Sequence, residues 1–238
     1  MPKLDKKDII ETANQYRSRF EQYAKNYKDT FEAEFDKANE TVVREELCSG
    51  SDMTLGYYCP SPVQDLLIGN VHRGKILKRV TKRSKPEIKY GFSEDGRMAV
   101  FIELPPEGFT NYDVRGFVLH DENTVTYICF KKSEGRVLPN WIAQAEYDKQ
   151  GRIICYTFGL FFLYDYNCKD ISREIYTYSD EGMKNFIHWE WTTSNRVYQT
   201  CYLLHHDKDG YFTGFEALDS EFWKGHIFEI TPSKRRKI

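Results

Sequence analysis

The 238-residue sequence lacks the short motifs that mark the common enzyme classes. It contains neither G-x-x-x-x-G-K-[ST] nor G-x-G-x-x-G, the glycine-rich loops that bind phosphate groups. Its six cysteines form no C-x-x-C pair of the kind that binds zinc or performs redox chemistry; they are Cys48, Cys59, Cys129, Cys155, Cys168 and Cys201. We therefore expect a non-enzymatic protein with no catalytic residue, no cofactor and no metal.

Apolar runs of membrane-spanning length are also missing. A transmembrane helix needs about 20 consecutive apolar residues. The longest apolar run, residues 155–166, is interrupted by Thr157, Gly159 and Asp165. Residues 1–7 are mostly charged and lack the apolar segment of a signal peptide. The sequence therefore predicts a cytoplasmic protein that has no membrane partner and whose cysteines are reduced.

Neither sign of charge is in excess, because the formal net charge is only −2. The molecule as a whole is therefore not drawn to nucleic acid or to a membrane surface. Aromatic residues, by contrast, are abundant at 16%, with 17 Tyr and 16 Phe. Aromatic side chains pack well on a pleated sheet, so this composition favours a protein rich in β-strands.

The first segment has the periodicity of an amphipathic helix. Apolar and aromatic residues recur every three or four positions, at Ile9, Ala13, Tyr16, Phe20, Tyr23, Tyr27, Phe31, Phe35 and Ala38. With Asp5 as its N-cap, the helix is predicted to run from about residue 6 to about residue 45. It would bend near residues 39–41 or lie along an elongated sheet. A coiled coil is less favoured, because Tyr and Phe occupy the stripe instead of Leu, Ile and Val.

The rest of the chain reads as a connector followed by a β-meander. Residues 48–70 are rich in turn formers, and a short helix is expected at residues 63–68. Beyond residue 71, turn-forming residues recur every 12 to 16 positions, at Gly96, Gly108, Asn123, Gly135, Gly151, Asn167, Gly182, Asn195 and Gly210. Each interval fits one strand and one turn.

The predicted fold class is therefore α+β in one structural domain. A long N-terminal amphipathic helix, within segment 1–47, would pack on an extended antiparallel β-meander. The meander would span residues 71–230 with about nine to eleven strands, and residues 231–238 would form a basic tail.

One of the turns carries a more specific motif. Residues 147–152 read Tyr-Asp-Lys-Gln-Gly-Arg, and partial copies stand at Gly96-Arg97 and Gly135-Arg136. This motif resembles the core of bacterial YD (Rhs-type) repeats, Tyr-Asp-x-x-Gly-Arg followed by an apolar residue. The chain is too short to build the shell of a long YD array. The resemblance instead implies a small hairpin-rich immunity protein of the polymorphic-toxin systems, whose partner is a toxin domain.

Two features are candidate partner-binding sites. The first is a basic stretch within residues 73–89, formed by Arg73, Lys75, Lys78, Arg79, Lys82, Arg83, Lys85 and Lys89. It would bind an acidic protein or nucleic acid, or it would only protect edge strands against aggregation. The second is the pair Trp189 and Trp191, which share one strand face and would form either core or a binding hot spot.

The histidines suggest no local catalytic or metal-binding motif. His205 and His206 are adjacent, so in a strand they point to opposite faces and do not bind one metal together. A cysteine and a histidine distant in sequence could still meet in space. The sequence therefore leaves two alternatives to a protein-binding function: a nucleic-acid-binding accessory protein and an enzyme with a Cys/His site.

Thiol titration tests the predicted redox state. Protein expressed in a bacterial cytosol, then unfolded without reductant, should show close to six reactive thiols, one for each cysteine. A value near zero would contradict both the reduced state and the cytoplasmic assignment.

Overall fold

The structure is a computed structural model that describes residues 3–50, 52–68, 73–81, 85–106, 108–109, 113–162, 165–180, 182–219 and 224–229. Its elements are α1 (Lys6–Tyr27), α2 (Phe31–Glu40), β1 (Arg44–Cys48), α3 (Gln64–Leu67), β2 (Ile88–Phe92), β3 (Met98–Glu103), β4 (Asp113–His120), β5 (Thr124–Ser133), β6 (Arg136–Tyr147), β7 (Ile153–Phe161), β8 (Cys168–Ser179), β9 (Gly182–Thr192), β10 (Val197–His206), β11 (Phe212–Ala217) and β12 (Ile227–Glu229).

The twelve strands form one antiparallel sheet whose spatial order follows the chain from β1 to β12. This arrangement confirms the predicted α+β fold with an N-terminal helical region and a long meander. Eleven of the strands, β2 to β12, lie within residues 71–230, in agreement with the expected nine to eleven. The twelfth, β1, precedes that segment, where most of its residues were expected to be helical. Within the described residues, no pairing joins β1 to β12, so the sheet is open there.

The helical region is two helices and not the single predicted one. Asp5 caps α1 as expected, since its carboxylate accepts a hydrogen bond from the backbone N–H of Lys7 at 2.7 Å. The chain leaves the helix at residues 28–30, and α2 ends at Glu40. The β-branched residues at positions 41–43 favour extended backbone, so β1 begins where the helix was expected to continue. No helix within the described ranges combines the length and the apolar character needed to cross a bilayer.

The predicted aromatic stripe packs against one sheet face, here called the helix face. The buried members of the stripe are Ile9, Ala13, Tyr16, Phe20, Phe31 and Phe35, and Ala24, which was not predicted as a member, is buried beside them. They share a core with side chains such as Ile128 and Ile142 of the sheet. Close approach depends on Gly159, because a Cβ atom there would lie 2.4 Å from the Phe20 ring.

The opposite face, here called the connector face, is covered by the segment between β1 and β2. Met53, Val63 and Leu66 are each 3% exposed or less and lie in one core with Tyr90 and Trp141. The short helix α3 lies within the expected residues 63–68. Both faces of the sheet are therefore lined by buried apolar side chains.

The turn glycines adopt the backbone conformation that the hairpins require. Gly151 has φ 74°, and its turn is closed by the N–H of Gly151 donating to the carbonyl of Asp148 at 2.9 Å. The Asp148 carboxylate accepts from the backbone N–H groups of Gln150 and Arg152, both at 2.9 Å, and pairs with the Arg152 guanidinium. The Tyr-Asp-x-x-Gly-Arg motif thus forms a hairpin turn that its own side chains stabilise.

Phe20→Ala and Phe31→Ala should each lower the free energy of unfolding by about 3–5 kcal/mol, because each deletes a buried ring and leaves a cavity. Lys25→Ala, on the exposed side of α1, should change it by less than about 0.5 kcal/mol. Urea unfolding followed by circular dichroism measures all three. Equal, small losses would mean that the helices do not dock on the sheet.

Candidate partner-binding sites

Trp189 and Trp191 do not form an exposed hot spot. Each is 1% exposed and lies on the helix face of β9, in the core beneath α1. The Arg17 guanidinium of α1 lies 5.9 Å from the Trp191 ring. Alternation along β9 places both rings on one face, as expected, but that face is the one covered by the helices. The interpretation of this pair as surface anchors is therefore wrong.

Arg73 points into the molecule, although it begins the basic stretch. Its guanidinium donates to the backbone carbonyls of Cys59, at 3.2 Å, and Ser61, and lies 3.4 Å from the carboxylate of Asp65. Arg73 therefore ties the segment that follows the connector to residues 59–65 of the connector, and its surface assignment is corrected for that reason. Lys82 and Arg83 lie outside the described residues.

Part of the exposed remainder of the stretch begins beside the edge strand β1. The N–H of Ser49 donates to the carbonyl of Lys75 at 3.0 Å, and the N–H of Leu77 donates to that of Leu47 at 2.8 Å. We call Lys75, Ile76, Lys78, Arg79 and Val80 the edge patch.

All five residues of the edge patch are exposed. Lys75, Lys78 and Arg79 have no ion-pair partner within the described part of the chain. The two apolar members, Ile76 and Val80, are 39% and 55% exposed.

A buried carboxylic acid ties the connector to the sheet. Glu174 of β8 is 2% exposed on the connector face. The Ser61 hydroxyl of the connector donates to its carboxylate at 2.6 Å, and the Tyr176 hydroxyl donates to the same oxygen. Burial raises the pKa of Glu174 to about 7, although these donors and the nearby Arg73 favour the charged form.

Beside Glu174, a cleft of about 300 Å³ opens between α3 and strands β8–β10. Its described lining residues are Gln64, Leu67, Ile68, Ser172, His188, Glu190, Tyr198, Gln199, Thr200 and Tyr202. Cross-strand pairing sets their order: Ser172, Glu190 and Tyr198 form one row, and Glu174, His188 and Thr200 form the next. The cleft is thus a polar, aromatic-rimmed depression on the connector face.

Among the described residues that line the cleft, one is acidic, Glu190. Burial lowers the pKa of His188 to about 4, so this imidazole is neutral at pH 7. Its Nε2 lies 3.7 Å from the Glu190 carboxylate, and the two do not form an ion pair at that pH. Burial, and then the neighbouring Asp170, raise the pKa of Glu190.

The cysteines have the properties of packing residues and not of nucleophiles. All six are free and buried. Burial raises the pKa of Cys48 to about 11 and the pKa values of Cys59 and Cys168 to about 12. Reactive cysteines instead have lowered pKa values and some exposure. Within the described residues, no group of three or more His, Cys, Asp or Glu side chains is placed to bind a metal ion.

The adjacent histidines make separate contacts. The Nε2 atom of His205 lies 3.5 Å from the Glu216 carboxylate, whereas the ring of His206 lies 5.9 Å from that of Phe212.

No protein-family model matches this chain, and no curated protein matches its sequence. Function is therefore inferred from the residues and their geometry. The sequence reasoning missed the cleft entirely. The available signal was a pair of polar residues two positions apart on each of two strands, Ser172 with Glu174 and His188 with Glu190.

Glu174→Gln should change stability in a pH-dependent way. The pKa of Glu174 is raised from its unfolded value of 4.5 to about 7 in the folded protein. The protonated carboxyl therefore contributes its full stabilisation below about pH 4.5, and this stabilisation is lost as the pH rises through about 7. Gln mimics the neutral form. We expect little difference from wild type at about pH 5, and a gain of about 1–3 kcal/mol at about pH 8.

Urea unfolding at the two pH values measures this difference, with Glu122→Gln in an exposed turn as the control. If Glu174→Gln were destabilising at the higher pH, the ionised carboxylate would stabilise the folded protein. That result would contradict the prediction that burial disfavours the ionised form.

Proposed function

We propose that this chain is a non-enzymatic protein-binding module of the bacterial immunity type, which neutralises a toxin domain by binding it through the edge patch. The observation that carries the proposal is the mixture in that patch of unpaired basic side chains with exposed apolar ones. The hairpin motif at residues 147–152 adds the resemblance to immunity proteins.

The apolar members of the patch favour a protein partner. Ile76 and Val80 would be withdrawn from water in a protein interface, whose centre is typically apolar. A nucleic-acid backbone would pair with Lys75, Lys78 and Arg79 but would leave these two side chains exposed. The three cations therefore suit an acidic protein surface, to which they would speed association.

Edge protection alone explains the three basic residues of the patch but not the two apolar ones. Lysine and arginine beside β1 would discourage edge-to-edge pairing of two molecules. Exposed Ile76 and Val80 at the same place have the opposite effect, because apolar β-branched residues at an edge promote association. A surface that binds a specific partner accounts for both kinds of residue.

The double variant Lys78→Glu/Arg79→Glu tests the proposal. The partner to use is the toxin domain encoded by a neighbouring gene, purified and immobilised for kinetic binding measurements. We expect the variant to associate about tenfold more slowly than wild type at low salt, and the difference to shrink as salt is raised to about 300 mM. The matched control is Lys149→Glu/Lys208→Glu, which reverses two exposed charges in hairpin turns.

Two results would count against this function. Equal association rates for wild type and the Lys78/Arg79 variant would mean that the basic residues of the patch only protect the sheet edge. The nucleic-acid alternative would be favoured if the protein bound heparin with an affinity that falls log-linearly with salt and did not bind the protein encoded by the neighbouring gene.

A further inference from the structure

The cleft between α3 and strands β8–β10 has a carboxylate beside an exposed ring. Glu190 and Tyr198 are directly paired across β9 and β10. The Glu190 side chain is 55% exposed, and Tyr198 is 57% exposed. Among the described residues that line the cleft, none is lysine or arginine. The Asp170 carboxylate adds to the negative potential, since it raises the pKa of Glu190.

Elsewhere in this protein, the same combination of carboxylate and ring holds an arginine. Four guanidinium groups each pair with a carboxylate while lying 4.1–5.1 Å from the centre of an aromatic ring. The four sets are Arg44 with Glu46 and Phe92, Arg115 with Glu32 and Phe35, Arg152 with Asp148 and Tyr178, and Arg173 with Glu146 and Tyr16. Glu190 and Tyr198 therefore offer two parts of a three-part arrangement.

We propose that the cleft binds the guanidinium group of an arginine side chain carried by a protein partner. The Glu190 carboxylate accepts its hydrogen bonds, and the Tyr198 ring packs against its flat face. The hydroxyls of Ser172 and Thr200 and the neutral imidazole of His188 supply further acceptors along the rim. Guanidinium suits this set better than ammonium, because it is planar, stacks on rings and donates in several directions.

This site is independent of the edge patch. It has the opposite charge, and it lies on the connector face at β8–β10 instead of beside β1. Failure of the edge patch to bind an acidic partner would not affect it, and its own failure would leave the edge patch untouched.

The direct test uses two matched probes and NMR of the isotopically labelled protein. The first probe is N-acetyl-arginine methylamide, and the second is the citrulline analogue, which has the same shape and no charge. The arginine probe should shift the amide signals of residues 188–190 and 198–200 in a saturable way, and the citrulline probe should not. Glu190→Gln should weaken binding of the arginine probe about tenfold or more, as expected for loss of a charge-assisted hydrogen bond.

Three controls make the outcome decisive. Glu122→Gln removes an exposed carboxylate outside the cleft and should leave binding unchanged. Tyr198→Ala should weaken binding of the arginine probe, because the ring that packs on the guanidinium is lost. The corresponding lysine probe gains less from stacking and should bind wild type more weakly than the arginine probe does. Thermal unfolding should show that both cleft variants remain folded, since both side chains are more than half exposed.

The proposal would be overturned by equal shifts with arginine and citrulline, by shifts that persist in Glu190→Gln, or by binding of the lysine probe as tight as that of arginine.

Discussion

Burial of both faces of the sheet is the constraint on which the rest of the structure depends. Strand β9 illustrates it: Met183 and Phe186 are buried on the connector face, while Ile187, Trp189 and Trp191 are buried on the helix face. A sheet with apolar side chains on both faces is stable in water only when another layer covers each of them. The helices α1 and α2 form one layer, and the segment between β1 and β2 forms the other.

This constraint also places the candidate sites. Because buried apolar side chains line both faces, the exposed groups proposed to bind a partner lie beside the covering layers. The edge patch lies beside the outer strand β1, and the cleft opens between α3 and strands β8–β10. Glu174, whose pKa is raised by burial, accepts a hydrogen bond from Ser61 of the connector, so the contact between that layer and the sheet includes a titratable group. Both proposed binding sites therefore lie next to a covering layer and not in the middle of a covered face.

The sequence predicted those elements that depend on local interactions. The stripe around Phe20 and Phe31 and the turn at Gly151 follow from periodicity and glycine chemistry, and the structure has both. The features that could not be predicted depend on long-range packing. Alternation showed that Trp189 and Trp191 share a face, but not that α1 covers it. Likewise, the inward direction of Arg73 depends on the connector folding back on itself, and the cleft requires three strands and α3 in register.

Native-state hydrogen exchange tests most directly whether the connector is an integral layer of the core. The N–H of Met53 donates to the buried Glu103 carboxylate, and that of Leu66 donates to the Val63 carbonyl. If the connector face needs its cover, these amides should exchange nearly as slowly as those of the central strands β5–β8 and open only in global unfolding. Rapid exchange of the connector amides beside protected strands would contradict this account, because the connector face would then stand open while the sheet remained folded.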